Sequence, residues 1–330
     1  MILACALLFL PGCVIIPISF SDPEYREIEL RPAKKWFASK VLLVDLDGAL
    51  NSMGSDGLFG TPNRLADLDE QLTLAEKDHA IKAVVLRINS PGGSVTASDL
   101  MHRRVQKYRD KTGVPVYVAM MDVAASGGYY VAMAGNKVYA SPTSITGSIG
   151  VIAIFPEGQD LLNKIGIQVL VVKSGTLKDS GSIFRHMNSE EQEVFQKIVA
   201  DLYERFLEVV NKGRPNLTPA RVRELADGRV YTARQALEAG LVDGVAYLEE
   251  VIDRAEEAGG VSGSRVVTYS RSRGRARSMY ATAPPLPETS AGWLDAAQPP
   301  RSSSTQINLL NVETGKLAAR QPVFQYLWIP

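Results

Sequence analysis

Two glycine-rich turns carry the chemistry that this sequence can offer. Asn89-Ser90-Pro91-Gly92-Gly93 follows an apolar run, 83–88, and precedes a stretch of helical pattern, 98–109. Ala124-Ala125-Ser126-Gly127-Gly128-Tyr129-Tyr130 follows a second apolar run, 116–121, and also leads into a helical stretch. Glycines placed there leave backbone N–H groups uncovered where a helix begins and its partial positive charge is concentrated. Such turns hold phosphates or an oxyanion. Neither is followed by the Gly-Lys-Ser/Thr of a nucleotide-binding loop, which makes that use weak. In an oxyanion hole, amides from two loops converge on the oxygen of a tetrahedral intermediate. Ser126 suits it, because Ala124, Ala125, Gly127 and Gly128 leave its hydroxyl room to meet a peptide backbone. A tight helix start without catalytic use is the competing reading, and the short motif alone favours it.

A serine nucleophile needs a base. The chain has three histidines, His79, His102 and His186. His186 reads as a solvated loop residue, while His79 and His102 lie in charge-rich helical segments and read as surface residues. A Ser-His-Asp triad is therefore unsupported. Lysine serves as a base where burial lowers its pKa from about 10.4 toward neutrality. Lys178 is the candidate, in the glycine- and serine-rich segment 173–182 directly after an apolar strand expected at 168–172. A loop lysine is otherwise simply solvated, so local sequence alone does not decide its role.

The elements that must position these residues follow an α/β rhythm from residue 41 onward. The runs 41–46, 83–88 and 116–121 read as buried strands. Leu65, Leu68, Leu72 and Ala75 share one helical face, with Thr61 as N-cap and Pro62 at the first helical position. Val194, Ile198, Leu202 and Phe206 mark a long amphipathic helix over 190–212, Thr218-Pro219 starts another, and a short helix over 232–241 closes at Gly240.

Composition bounds the rest. The 330 residues contain 36 Lys plus Arg against 36 Asp plus Glu, and 45% are apolar. That balance argues against nucleic-acid binding driven by bulk charge and against a disordered chain. The only cysteines are Cys5 and Cys13, so neither a disulfide framework nor a zinc cluster is expected in the folded body, and no cofactor or metal is called for. Residues 2–20 carry no charge. They read as a lipoprotein leader with a lipobox-like Leu10-Pro11-Gly12-Cys13 and lipidation at Cys13, as a membrane span, or as a leader truncated by a misassigned start. Each reading gives a membrane-associated or exported body. At the other end, 270–277 is arginine-rich and 284–305 is rich in proline and serine, whereas 321–330 is too apolar for a free end. It is expected to dock on its own or a neighbouring protomer, as an added strand near the cleft.

Five motifs occur together and in order: Asn89-Ser-Pro-Gly-Gly93, Ala125-Ser-Gly-Gly-Tyr-Tyr130, Thr146-Gly-Ser-Ile-Gly150, Ser174-Gly-Thr-Leu-Lys-Asp179, and Gly228-Arg-Val-Tyr-Thr232 with Ala236-Leu-Glu-Ala-Gly-Leu-Val-Asp243. On these the chain resembles the signal peptide peptidase A family, bacterial serine peptidases with a Ser/Lys dyad. The resemblance implies an α/β, ClpP/crotonase-like spiral of strands with flanking helices, present in single copy. It further implies Ser126 as nucleophile, Lys178 as base, the amides of Gly93 and Ser126 as oxyanion hole, and Ser148 as the residue that orients the lysine. Peptide substrates, such as remnant signal peptides, and a homo-oligomer in which neighbouring protomers share the dyad follow in the same way. The expected organisation is a leader or anchor over 1–20, a linker over 21–40, the peptidase domain over 41–258, and an Arg/Pro/Ser-rich extension over 259–330. A bacterial cell-membrane location is expected, with the catalytic domain on the exported side. The alternative is a crotonase-like acyl-CoA enzyme that uses the same amide pair for a thioester enolate.

Overall fold

The computed structural model describes residues 25–33, 39–52, 63–271, 278–280 and 325–328. The expected leader with Cys13, the Thr61-Pro62 pair and most of the C-terminal extension lie outside them. The elements in chain order are β1 (Arg26–Arg31), β2 (Lys40–Asp47), α1 (Arg64–Lys77), β3 (Ile81–Ser90), β4 (Gly92–Ser94), α2 (Val95–Thr112), β5 (Val116–Ala125), α3 (Gly127–Ala132), β6 (Lys137–Ala140) and β7 (Ile145–Gly147). They continue with α4 (Gln159–Lys164), α5 (Ser189–Gly213), α6 (Pro219–Leu225), β8 (Val230–Thr232), α7 (Ala233–Glu238), β9 (Gly244–Val245), α8 (Leu248–Ala258), β10 (Arg265–Ser270) and β11 (Gln325–Leu327).

Among the described residues the main sheet runs β1-β10-β2-β3-β5-β6-β9, with β7 pairing β5 and β8. It is parallel from β10 through β9, and β1 joins β10 antiparallel. Alternation explains the unbroken apolar runs 41–44 of β2 and 83–86 of β3. Leu42, Val44, Leu46, Val84, Leu86 and Ile88 enter one core. The intervening Val41, Leu43, Ala83 and Val85 enter a second core on the other face, under α8. A strand covered on both faces has no side to give to water.

The helices start where capping groups allow. Asn63, not Thr61, caps α1 by accepting from Ala66 N–H at 3.0 Å. Ser94 caps α2 and starts it at Val95, earlier than the helical pattern suggests. The long helix α5 begins with a reciprocal capping box between Asn188 and Glu191, and α6 and α7 use Thr218 and Thr232 as expected.

Three expectations are corrected here. The expected linker 21–40 contributes β1, and the expected extension contributes β10, so the sheet reaches beyond the boundaries 41 and 258 on both sides. Each of these strands finds its pairing partner far away in sequence, which local pattern does not reveal. Segment 168–172 forms no strand: it runs over the surface, with Leu170 90% and Val172 92% exposed, and no neighbouring strand of this chain pairs with it among the described residues.

Candidate active site

Ser126 stands between β5 and α3, where the chain reverses from strand to helix. Its φ of 52° and ψ of −114° lie in a region that L-residues rarely occupy, and the residue is 1% exposed. Ser148 holds the second positive φ of a non-glycine residue among the described residues, at 49°. The two serines occupy matched positions, because Ala125 and Gly147 are partners in the β5/β7 ladder and each serine is the next residue on its strand. Ser126 N–H donates to Gly147 O at 2.8 Å, and Ser148 N–H to Arg229 O at 2.8 Å. Local strain of this kind persists only where surrounding bonds over-determine it.

The small residues after Ser126 are required by close approach. A Cβ on Gly127 would lie 2.4 Å from Ser98 Oγ, and one on Gly128 would lie 2.9 Å from Ser90 O. The tyrosine pair then anchors the helix: Tyr129 donates its hydroxyl proton to Leu241 O at 2.8 Å, and Tyr130 donates to Asp99, which also accepts from Arg205 at 2.9 Å.

The Gly92-Gly93 turn is a short strand rather than an open loop. Leu50 N–H donates to Gly92 O at 2.8 Å and Ser94 N–H to Leu50 O at 3.0 Å, which ties one edge of β4 to the framework. On its other edge lies β11, antiparallel, with Gln325, Tyr326 and Leu327 opposite Ser94, Gly93 and Gly92. Trp328 N–H donates to Pro91 O at 2.8 Å. Alternation in an antiparallel ladder then makes Tyr326 and Gly93, two places along, an exchanged pair whose Gly93 N–H donates to Tyr326 O. The far edge of β11 is held too, by reciprocal 3.0 Å bonds between Gln325 and Ile152. Residues 325–328 of the apolar tail therefore dock as the added strand that its composition suggested, on this same chain. The Tyr326 carbonyl is packed among glycines: a Cβ on Gly92 would lie 1.9 Å from that oxygen and 2.8 Å from Gly127 N, and one on Gly127 would lie 3.1 Å from the same oxygen. The amide that bonds this oxygen is thus that of Gly93, and the Gly127 backbone packs against it. Ser126 N–H, the second donor implied by the resemblance, is engaged by Gly147 O.

Lys178 is not brought to Ser126 within the chain. It sits in an exposed turn, and its side chain has no hydrogen bond or ion pair among the described residues. The turn is well braced. Asp179 accepts from Lys173 and Arg185, each at 2.6 Å, and Arg185 Nη1 also reaches Glu191 at 2.9 Å. Arg185 first, then Lys173, hold the Asp179 carboxyl well below the usual carboxylate range.

Of the histidines, His186 is the exposed loop residue expected, 3.0 Å from Glu157, and His79 lies exposed in the turn after α1. His102 corrects the sequence reading. It is buried on α2 with its ring edge-on to Tyr130 at 5.3 Å, and burial pushes its pKa down to about 4. The neighbouring Arg103, Arg104 and Lys107 disguise the inward face. Phe206 and Tyr326 are the site's neighbours that sequence reasoning did not single out for it, and the one signal that pointed there was the apolar tail. No group of three or more His, Cys, Asp and Glu is placed to hold a metal among the described residues, and no helix there is long and apolar enough to cross a membrane.

Comparison with known proteins decides the family. A model of Peptidase family S49 matches residues 108–262, and a Clp protease model matches residues 63–146. A relative from Enterococcus faecium that carries the signal peptide peptidase SppA name is 36% identical over 231 residues, which is 70% of this chain and 67% of the relative. The chain belongs to peptidase family S49. Its fold is accordingly ClpP/crotonase-like and its chemistry that of a serine endopeptidase. This S49 chain is also 34% identical over 219 residues to Protease 4 of Haemophilus influenzae, of whose length it spans 35%. It is 35% identical over 202 residues to the chloroplastic serine protease SPPA of Arabidopsis thaliana, covering 61% of this chain and 29% of the relative. The S49 match includes Ser126, Ser148 and Lys178, while the Clp match includes Gly92, Gly93 and Ser126.

Proposed function

We propose that this S49 peptidase is a membrane-associated bacterial endopeptidase that cleaves remnant signal peptides or other hydrophobic, membrane-derived peptides through an acyl-enzyme on Ser126, with Lys178 as base. The observation that carries this reading is the Tyr326 carbonyl, seated in an extended strand among Gly92, Gly93 and Gly127 next to the strained Ser126. A scissile carbonyl bound in the same way would accept a hydrogen bond from the Gly93 amide and lie against the Gly127 backbone. Ser126 Oγ attacks the carbonyl carbon while Lys178 Nζ takes its proton, and the Gly93 and Gly127 amides hold the resulting oxyanion. Collapse breaks the C–N bond, and the lysine returns the proton to the leaving amine. Water, deprotonated by the same lysine, then hydrolyses the ester. Ser148, whose strand end lies beside Ser126, orients the lysine.

Lys178 comes from a neighbouring protomer of a homo-oligomer. Ser126 is buried, whereas Lys178 lies on an arm of the same chain whose Ile154, Leu161, Leu170 and Val172 face outward without cover. Apolar surface of that extent marks a protein contact, and burial there is what would let a lysine act as base. Membrane association rests on the uncharged segment 2–20 with Cys13 as its lipidation point, and on relatives that bear the signal peptide peptidase name. The acyl-CoA alternative has nothing further in its favour once the chain is placed in S49. As a test, Ser126→Ala and Lys178→Ala proteins are assayed separately and mixed on a hydrophobic fluorogenic peptide. Each alone is expected to be inactive, and the mixture to regain part of the activity through hybrid sites. Turnover by either single variant refutes the dyad, and a mixture without activity refutes its sharing.

A further inference from the structure

The residue that follows Lys178 is an acid, Asp179, and a carboxylate beside a lysine is the natural partner of its ammonium. The two do not pair: Lys178 has no side-chain hydrogen bond or ion pair among the described residues. Other cations occupy the Asp179 oxygens. Oδ1 accepts from Lys173 Nζ and from Arg185 Nη2, each at 2.6 Å, and Oδ2 accepts from Arg185 Nε at 2.9 Å. With these partners around it the Asp179 side chain is only 12% exposed, although it stands in a surface turn. Arg185 is itself fixed from its other edge. Its Nη1 donates to Glu191 Oε2 at 2.9 Å, and its Nη2 to Glu191 Oε1. Glu191 is 0% exposed and belongs to the capping box that starts α5. Its Oε1 also accepts from Ser180 at 3.2 Å, which ties the lysine's turn to the same helix end. Glu157, Asp160 and His186 form a separate charged group on the arm, with His186 3.0 Å from Glu157 and 3.4 Å from Asp160.

A lysine that takes the Ser126 proton has to reach the serine without a proton of its own to lose first. An opposite charge within about 4–6 Å works against that, because it favours the charged form of a titratable group by about 1–3 pH units. We infer that Arg185 is a positioning residue for the base: by holding both oxygens of Asp179 it denies that carboxylate to Lys178 and leaves the lysine free to receive the serine proton. The inference rests on the proposed function, because it takes Lys178 as the base. Residue type matters at position 185. A guanidinium presents donors on fixed directions and can engage two carboxylates at once, one on each edge, so it cannot swing away from Asp179 without giving up Glu191. Lys173 shares the task on Oδ1 alone. It is a point charge on a flexible stem, and it has no second carboxylate to hold it in place.

The experiment follows kcat/KM against pH on a hydrophobic fluorogenic peptide, with the full chain as parent, Arg185→Gln, and the double variant Arg185→Gln/Asp179→Asn. In Arg185→Gln the uncovered Asp179 pairs with Lys178, and the rising limb of the profile is expected to move to higher pH by about one unit or more. Activity at neutral pH then falls about tenfold or more, with the loss shrinking as pH rises. The double variant is expected to bring the limb back toward the parent's position, since the competing carboxylate is gone. A bracing role alone predicts the reverse: a second loss on top of the first, equal at every pH. Where Arg185→Gln does not yield folded protein, Lys173→Gln decides, because it keeps every bond to α5. It is expected to move the limb the same way by a smaller amount, and adding Asp179→Asn to move it back. An unmoved limb in the folded variant, or a double variant no better than its parent single, overturns the role of Arg185 and leaves the dyad standing. Turnover retained in Lys178→Ala overturns the dyad and this role with it.

Discussion

Gly92 and Gly93 are adjacent and chemically identical, yet the structure assigns them opposite sensitivities. An alanine at 92 would put its Cβ 1.9 Å from the Tyr326 oxygen, 2.9 Å from the Tyr326 carbonyl carbon and 2.8 Å from Gly127 N. The first two of these neighbours belong to the cleft's occupant. An alanine at 93 would put its Cβ 1.9 Å from Leu50 O and 2.6 Å from Leu50 C and N, which are framework atoms. In Gly92→Ala the bound carbonyl must retreat by more than 1 Å to regain ordinary contact. An N–H···O bond of about 2.9 Å then stretches toward 4 Å and is lost. Losing one oxyanion donor costs on the order of 10²–10³ in kcat. Since the retreat affects both amides, kcat/KM is expected to fall at least about 10³-fold. The stability cost adds the 2.8 Å approach to Gly127 N, a framework atom, to the side-chain strain at φ +106°, which is about 1–3 kcal/mol. Gly93→Ala must instead displace the Leu50 backbone, so its damage appears first in stability. Peptide turnover and denaturant unfolding on both variants separate the two effects. A Gly92→Ala enzyme that retains a tenth of its activity, or a Gly93→Ala protein as stable as its neighbour variant, would show that the carbonyl does not sit where this reasoning places it.

Two further outcomes are expected. His102 is buried, and its pKa is lowered from 6.5 to about 4 by burial, partly opposed by Asp99, with Arg205, Arg109 and Lys212 adding to the depression. Because the folded value lies below the unfolded one, its contribution is complete above about pH 6.5 and is lost as pH falls toward 4, roughly 3 kcal/mol in all. His102→Gln should therefore flatten the unfolding free energy between pH 7 and pH 4.5 relative to the parent, and an unchanged slope would place the effect elsewhere. Deleting residues 323–330 should lower KM for added peptides with little change in kcat, because β11 occupies both edges of the groove that they need; a KM that stays put would mean the strand leaves the cleft freely in solution.

The sequence was legible where burial is local and illegible where pairing is distant. β2, β3 and β5 showed as apolar runs because both of their faces are covered, and α5 through α7 showed through periodicity and their Asn188, Thr218 and Thr232 caps. β1, β10 and β4 did not, since each is defined by a partner tens of residues away or by a short ladder with little side-chain pattern. His102 was misread because charged residues of α2 such as Arg103, Arg104 and Lys107 interleave with those on its inward face. Ser126 was legible through its small flanking residues, but which amide stands beside it depends on a reversal at φ 52° that gives Ser126 N–H to Gly147, and no residue type announces that. The expected strand at 168–172 has the residues for pairing without a partner strand among the described residues.

The conformation of Ser126 has a consequence for how this protein could be improved or spoiled. A φ of 52° with ψ of −114° is comfortable for glycine and strained for any other residue. Replacing the serine with glycine would thus release about 1–3 kcal/mol of strain and remove the hydroxyl in one step. Selection for thermal stability alone would favour that change, and the sturdiest relatives of this chain at that position would be enzymes no longer. Stability and activity are opposed here at a single backbone position, so a screen that seeks a more robust catalyst has to read out turnover together with melting.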